Sequence, residues 1–177
     1  MPIDETHGAR SLALVLGGAR SGKSRHAEAL VTALPQPWLY IATGESRDNE
    51  MAARIAEHRA RRGTRWQTIE APRDLAAALA AVPAGAAVLV DCLTLWLSNV
   101  MLAGADVEAE SGRFEHALTA RTGPVVLVAN EVGLGIVPEN RMAREFRDHA
   151  GRLHQMVAAT ATEVYFVAAG LPLKMKG

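Results

Sequence analysis

Five apolar runs punctuate the chain: Leu12–Leu16, Trp38–Ala42, Ala86–Val90, Val125–Ala129 and Val164–Ala168. Each is rich in Val, Leu, Ile or aromatic residues and has almost no alternating polar position. Strands buried on both faces read this way, and such strands belong to parallel sheets covered by helices. Between the runs lie longer stretches suited to helical crossovers: Lys23–Ala33, Asn49–Arg61, Arg73–Ala81, a segment near Val107–Thr119, and Arg141–Thr160. The alternation predicts a three-layer α/β sandwich, a mostly parallel sheet with helices on both faces. Pro35, Pro37, Gly63, Pro83, Gly85, Gly123, Pro124, Gly133 and Gly135 fall at the breaks. The Ala-rich stretch Ala76–Ala87 reads as compositional bias on a helix. With no internal repeat or linker, residues 12–177 are expected to form one domain behind a loose polar tail over residues 1–11.

Composition narrows the class. A chain of 177 residues, 49% hydrophobic and 21% charged, can close a core without metals or disulfides and is far from the signature of disorder. Lys+Arg and Asp+Glu are both 19, a balance that argues against a basic nucleic-acid platform. No apolar run approaches the roughly 20 residues of a bilayer span. Met1-Pro2-Ile3-Asp4-Glu5 carries acids where a secretory leader carries bases, and the single cysteine, Cys92, cannot form an intramolecular disulfide. A cytoplasmic α/β protein with no membrane partner is the expectation.

The first strand runs straight into Gly17-Gly18-Ala19-Arg20-Ser21-Gly22-Lys23-Ser24, which satisfies G-x-x-x-x-G-K-[ST] between a buried strand and a helix. Glycines let the backbone turn its N–H groups inward around a phosphate, and the following helix adds the positive end of its dipole. Lys23 would reach the β- and γ-phosphates and Ser24 would put its hydroxyl on Mg²⁺. The competing reading is a glycine-rich turn that merely joins strand to helix. Asp91, closing Val88-Leu89-Val90, is the candidate metal-side carboxylate, with an ordinary helix-capping aspartate as its alternative. Asn130-Glu131 forms a second polar strand end, and ligands of open parallel sheets sit at such ends. A regulatory GTPase is disfavoured, because Asn130 is followed by Glu131 rather than by the N-K-x-D base-reading motif.

A basic helix supplies a candidate nucleophile. The segment Asp48–Arg62, ended by Gly63, carries Met51, Arg54, Ile55, His58 and Arg62 on one face by their spacing. Guanidiniums near an imidazole disfavour its cationic form, and a neutral nitrogen is what attack on phosphorus requires. The arginines could hold phosphate oxygens bidentately meanwhile. A solvated basic face with an incidental histidine is the plainer reading of the same residues.

The run Gly17–Glu28, then Tyr40-Ile41-Ala42-Thr43, then Asp48–His58, then Asn130-Glu131-Val132-Gly133-Leu134-Gly135-Ile136-Val137-Pro138-Glu139-Asn140-Arg141 resembles the bifunctional adenosylcobinamide kinase / adenosylcobinamide-phosphate guanylyltransferase family of cobalamin biosynthesis. The resemblance covers the chain from Leu12 onward. It implies a RecA-like parallel sheet, a homotrimer, GTP and ATP as nucleotide substrates, Mg²⁺, and adenosylcobinamide and its phosphate as acceptors. It implies that His58 attacks the α-phosphate of GTP and carries GMP, with Lys23 serving the kinase half. By the same resemblance Ala42, Thr43, Gly44, Arg59, Ala60, Arg61, Arg62, Glu70 and Asp91 join Gly17–Ser24 in holding nucleotide, and Ser24 with Asp91 holds the metal. Asp91 stands where the family often has a glutamate, one methylene longer, and the tail precedes the family's usual start. Two rivals stay open: a kinase without nucleotidyl transfer, and a RecA-like nucleic-acid-binding ATPase.

Overall fold

A computed structural model describes residues 11–45 and 49–177. The chain runs β1 (Leu12–Gly17), α1 (Lys23–Thr32), β2 (Trp38–Ala42), α2 (Asn49–Arg62), β3 (Trp66–Glu70), α3 (Leu75–Ala81), β4 (Ala87–Asp91), α4 (Leu93–Leu102), α5 (Val107–Ala120), β5 (Val125–Asn130), α6 (Arg141–Thr160), β6 (Glu163–Ala168) and β7 (Leu171–Lys176). The strands form a single sheet in the order β3-β2-β4-β5-β1-β6-β7. All neighbours are parallel except β7, which returns antiparallel beside β6.

Strand residues divide between two cores, as a side-chain period of two dictates. Leu12, Leu14 and Leu16 pack with Leu75, Trp96, Phe114, Leu153 and Val157, so α3 to α6 cover that face. Ala13 and Val15 point the other way, to Ala27 and Val31 of α1. Each fully buried leucine contributes about 2 kcal/mol relative to exposure. Asp74 caps α3 by accepting from the Ala77 amide, Asp106 caps α5, and Asn140 caps α6.

Three elements go beyond the pattern in the sequence. β3 is a half-exposed edge strand whose Gln67 and Thr68 face solvent, so it lacks an apolar run. α4 follows β4 after a single residue and is apolar on nearly every side, so it blends into the strand before it. β7 contains Pro172, which only an edge strand tolerates, and it is exposed along its length. α3 starts at Leu75 rather than at Arg73 because Asp74 takes the capping position.

Register carries the fold toward function. Gly17 pairs with Asn130, while Asp91 and Glu70 both pair with Ala42 from either side. The carboxyl ends of β1, β5, β4, β2 and β3 therefore lie level along one edge of the sheet, where open α/β folds receive ligands. No described helix is long and apolar enough to cross a membrane. Residues 1–10 of the expected tail, and Asp48 at the expected start of the basic helix, lie outside the described residues.

Candidate active site

The glycine-rich loop has the geometry its residues dictate. A Cβ on Gly17 would lie 2.5 Å from both Ser21 Oγ and the Val167 carbonyl, so the loop closes only over glycine. Gly22 sits at φ 98°, in the left-handed region, and a Cβ there would come within 3.0 Å of Gly170 Cα. The Ser21 amide donates to the Gly18 carbonyl at 3.3 Å, and the Gly170 amide donates to the Ser21 carbonyl at 2.7 Å. α1 begins at Lys23 with no side-chain cap on its first turn, which leaves N–H groups directed out of the helix end. The buried Lys23 ammonium donates to the Gly18 carbonyl at 3.1 Å. Such a helix end and ammonium together suit an anion.

A cavity of about 610 Å³ opens beside this loop. Ala19 to Ser24 line it, as do Asp91, Asn130 and Glu131 from the ends of β4 and β5. Ala42, Gly44, Glu57, Arg62 and Glu70 complete it from β2, α2 and β3. A larger groove of about 910 Å³ between α3 and α5 is lined by alanines, Leu79 and Val82 with Arg113, His116 and Arg121, and has no carboxylate in its lining. The titratable side chains converge in the smaller cavity, and the chemistry belongs there.

Inside the cavity, the Tyr40 hydroxyl donates to Asp91 Oδ2 at 3.1 Å. Burial, reinforced by the Asp91 charge, pushes the phenol far above its ordinary range, so it remains a donor. The guanidinium carbon of Arg62 lies 3.3 Å from the Tyr40 ring centroid. Behind the carboxylate, Thr43 Oγ1 accepts from the Cys92 amide and donates to the Cys92 carbonyl, both at 2.7 Å. Asn99 Nδ2 donates to the Thr43 and Pro72 carbonyls at 2.8 and 2.9 Å. Thr94 Oγ1 accepts from both the amide and the side chain of Asn130 at 3.2 Å. Burial, with a smaller effect of Asp91, pushes the Cys92 thiol up to about 11.

These contacts sort the residues expected from sequence. Ala19–Ser24, Ala42, Gly44, Arg62, Glu70 and Asp91 line one cavity, and Gly17 and Gly18 shape the loop beside it. Thr43 is fully buried with its hydroxyl engaged by the Cys92 backbone, so it braces β2 against the start of α4 and is not among the residues that line the cavity. Ala60 lies on an exposed position of α2 outside the cavity lining. The backbone of α2 carries His58, Arg59 and Arg61, but their side chains, like those of Met51, Arg54 and Ile55, lie outside the described residues. The sequence reading missed Tyr40, Thr94, Asn99 and Gly170 as parts of the site. Tyr40 had a signal, a phenol in the middle of an otherwise apolar run. Asn99 and Thr94 had one as well, polar positions in the apolar stretch after Asp91.

Comparison with known proteins gives the family and the fold. The chain is 48% identical to the bifunctional adenosylcobalamin biosynthesis protein CobP of Pseudomonas aeruginosa, over 93% of this chain and 96% of that one. It is 45% identical to the bifunctional adenosylcobalamin biosynthesis protein CobU of Salmonella typhimurium, over 92% and 98%. Among solved structures, a Pyrococcus horikoshii protein superposes with a TM-score of 0.57 at 9% identity, over 95% of this chain and 87% of that one. An ATPase from a bacterial type III secretion system superposes at 0.52 and 11% identity, over 93% and 56%. At those identities the likeness concerns the fold alone, and the fold is the RecA-like P-loop sandwich expected from sequence. Residues 13–175 match the family model for cobinamide kinase / cobinamide phosphate guanyltransferase. A strand–loop–helix built for phosphate, acids level with it along the sheet edge, and near-full-length relatives agree: this chain belongs to the cobinamide kinase / cobinamide phosphate guanyltransferase family.

Proposed function

We propose that this protein phosphorylates adenosylcobinamide and then transfers GMP from GTP, through a GMP–His58 intermediate, to adenosylcobinamide phosphate, releasing pyrophosphate and adenosyl-GDP-cobinamide. The observation that carries the reading is the shared cavity. The loop Ala19–Ser24, the carboxylates Asp91, Glu131 and Glu70, and Arg62 from the helix of His58 all open onto it.

In the kinase half, loop amides and the Lys23 ammonium hold the β- and γ-phosphates of ATP or GTP. The acceptor hydroxyl attacks the γ-phosphorus, the bond to the β-phosphate oxygen breaks, and the nucleoside diphosphate leaves. Little covalent work falls to the protein, which positions the reactants and neutralises charge. In the guanylyl half, a neutral imidazole nitrogen of His58 attacks the α-phosphorus of GTP and pyrophosphate leaves. A phosphate oxygen of the acceptor then attacks that phosphorus, and the P–N bond breaks to return the histidine. Arg62, with Arg59 and Arg61 on the same helix, holds the phosphate oxygens.

The oxygens around the cavity fit a small hard cation. Ser24 and Asp91 both line it, and among the described residues no cluster of three His, Cys, Asp or Glu could cage a metal by itself. A metal held by one or two protein oxygens together with phosphate is the habit of Mg²⁺. Bound there, Mg²⁺ would neutralise phosphate charge. The protein acts in the cytoplasm as a homotrimer, a state supported by the exposed apolar side chains Leu171, Leu173 and Met175 along edge strand β7. Sedimentation equilibrium tests the trimer, and a monomer at micromolar concentration would exclude it.

GTP labelled at the α-phosphate tests the central step. The chain should retain label that survives alkali and is lost in acid, whereas γ-label should not remain. His58→Ala should lose the adduct. An adduct persisting in that variant would assign the nucleophile elsewhere, and none in the wild type would leave a plain kinase. ATP hydrolysis stimulated by DNA would instead favour a nucleic-acid-binding ATPase.

A further inference from the structure

Tyr40 occupies the centre of β2, a strand otherwise made of Trp, Leu, Ile and Ala and buried along nearly its whole length. Phenylalanine would fill the same space, so packing does not account for the hydroxyl. That hydroxyl instead meets Asp91 Oδ2 at 3.1 Å across the β2–β4 pair. The ring face carries Arg62, whose guanidinium carbon is 3.3 Å from the centroid and whose Nη1 is buried with no hydrogen-bond partner among the described residues. A guanidinium seated on an aromatic face keeps its edge donors for an oxyanion. Arg62 is the last residue of α2 and lies four positions after His58, on the same face of the helix by spacing.

We propose that Tyr40 is a positioning residue joining the two halves of the site, its hydroxyl orienting the Asp91 carboxylate and its ring seating the last turn of α2 through Arg62. The inference rests on the function proposed above, which makes Asp91 the metal-side acid and α2 the carrier of the nucleophile. Tyr40 touches no reacting atom. It sets where the carboxylate points and where the helix end rests, so the kinase and guanylyl halves share one brace.

The chain has two tyrosines, Tyr40 and Tyr165, so labelling tyrosine Cζ with ¹³C gives two signals in protein free of metal and nucleotide. Tyr40→Phe removes one signal and assigns it. Asp91→Asn and Arg62→Leu should each displace the Tyr40 signal and leave that of Tyr165 in place. A Tyr40 signal indifferent to either substitution overturns the proposal. In kinetics, Tyr40→Phe keeps the ring and loses the bond to Asp91. It should raise the Mg²⁺ concentration for half-maximal rate about threefold to tenfold, the worth of one hydrogen bond, and excess Mg²⁺ should restore the rate. Tyr40→Leu unseats Arg62 too, so GMP–His58 formation should stay slowed about tenfold at saturating Mg²⁺, a single Arg–aromatic contact being worth that much when desolvated. An unchanged Mg²⁺ requirement in Tyr40→Phe, or equal adduct formation in the two variants, overturns it. A wild type that forms no acid-labile adduct would sink the function reading instead, and the labelled spectra would still decide whether Tyr40 couples to both residues.

Discussion

The amide of Gly170 donates to the carbonyl of Ser21 at 2.7 Å, tying the tight β6–β7 turn to the glycine-rich loop. Ala169 and Gly170 hold φ of 52° and 77°, the left-handed pair of a two-residue hairpin turn. The hairpin thus buttresses from behind the loop that faces the cavity.

Gly22→Ala should break that packing. The new methyl would sit at φ 98° and 3.0 Å from Gly170 Cα. A loss of about 2 kcal/mol of stability is expected, together with weaker GTP binding. Gly170→Ala meets nothing within 4 Å and carries only the left-handed penalty, about 1 kcal/mol. Calorimetric melting of the two variants gives the comparison, and equal losses would remove the steric argument.

Lys23→Ala should leave the fold intact and lower GTP affinity by about tenfold to a hundredfold, the range for hydrogen bonds to a charged group. Its ammonium is buried against the Gly18 carbonyl. Titration calorimetry with GTP and a thermal melt test both halves. Wild-type affinity in the variant would place the triphosphate elsewhere.

Thr43→Val preserves shape and deletes the hydroxyl that serves the amide and carbonyl of Cys92. The buried Cys92 amide would lose its partner, at about 1 to 3 kcal/mol, while the Cys92 carbonyl keeps the Trp96 amide. Thr43→Ser should recover most of the difference in denaturant unfolding. A valine variant as stable as the wild type would mean that another group bonds the Cys92 backbone.

Alkali should destabilise the protein through the buried pair Cys92 and Tyr40, whose acids are both raised in the folded state, Cys92 to about 11. A raised folded pKa contributes stability that is whole below the unfolded value, near 9 for a thiol. It is lost as pH climbs from there toward the folded value. For Cys92 the loss amounts to about 2 to 3 kcal/mol between pH 9 and 11. Unfolding midpoints should fall over that range and fall less in Cys92→Ala. Iodoacetamide at pH 8 should leave the native thiol unmodified.

The α/β class was legible because β1, β2, β4 and β5 are buried on both faces and read as unbroken apolar runs, and the partly buried β6 keeps an apolar run as well. The glycine-rich loop was legible because its pattern of residue types is contiguous in the chain, although the neighbours that demand glycine at 17 and 22 include Val167 and Gly170 from β6 and its turn. The long block Asn130–Arg141 carried the family by resemblance. By contrast β3 and β7 lie on the sheet edges, where one face is wet and the apolar signal thins. Residues far apart in the chain meet only after the sheet closes. Asp91 gains its Tyr40 partner through the parallel register of β2 with β4, and Ser21 gains Gly170 only once β6 lies beside β1. The nucleotide contact at Thr43 is implied by the resemblance alone, whereas the bonds that turn its hydroxyl inward onto Cys92 exist only in the folded chain. Residue type and spacing determined which chemistry the chain could hold, because those are local properties. Sheet order and register decided which side chains share one cavity, because contacts between distant segments exist only in the packed molecule.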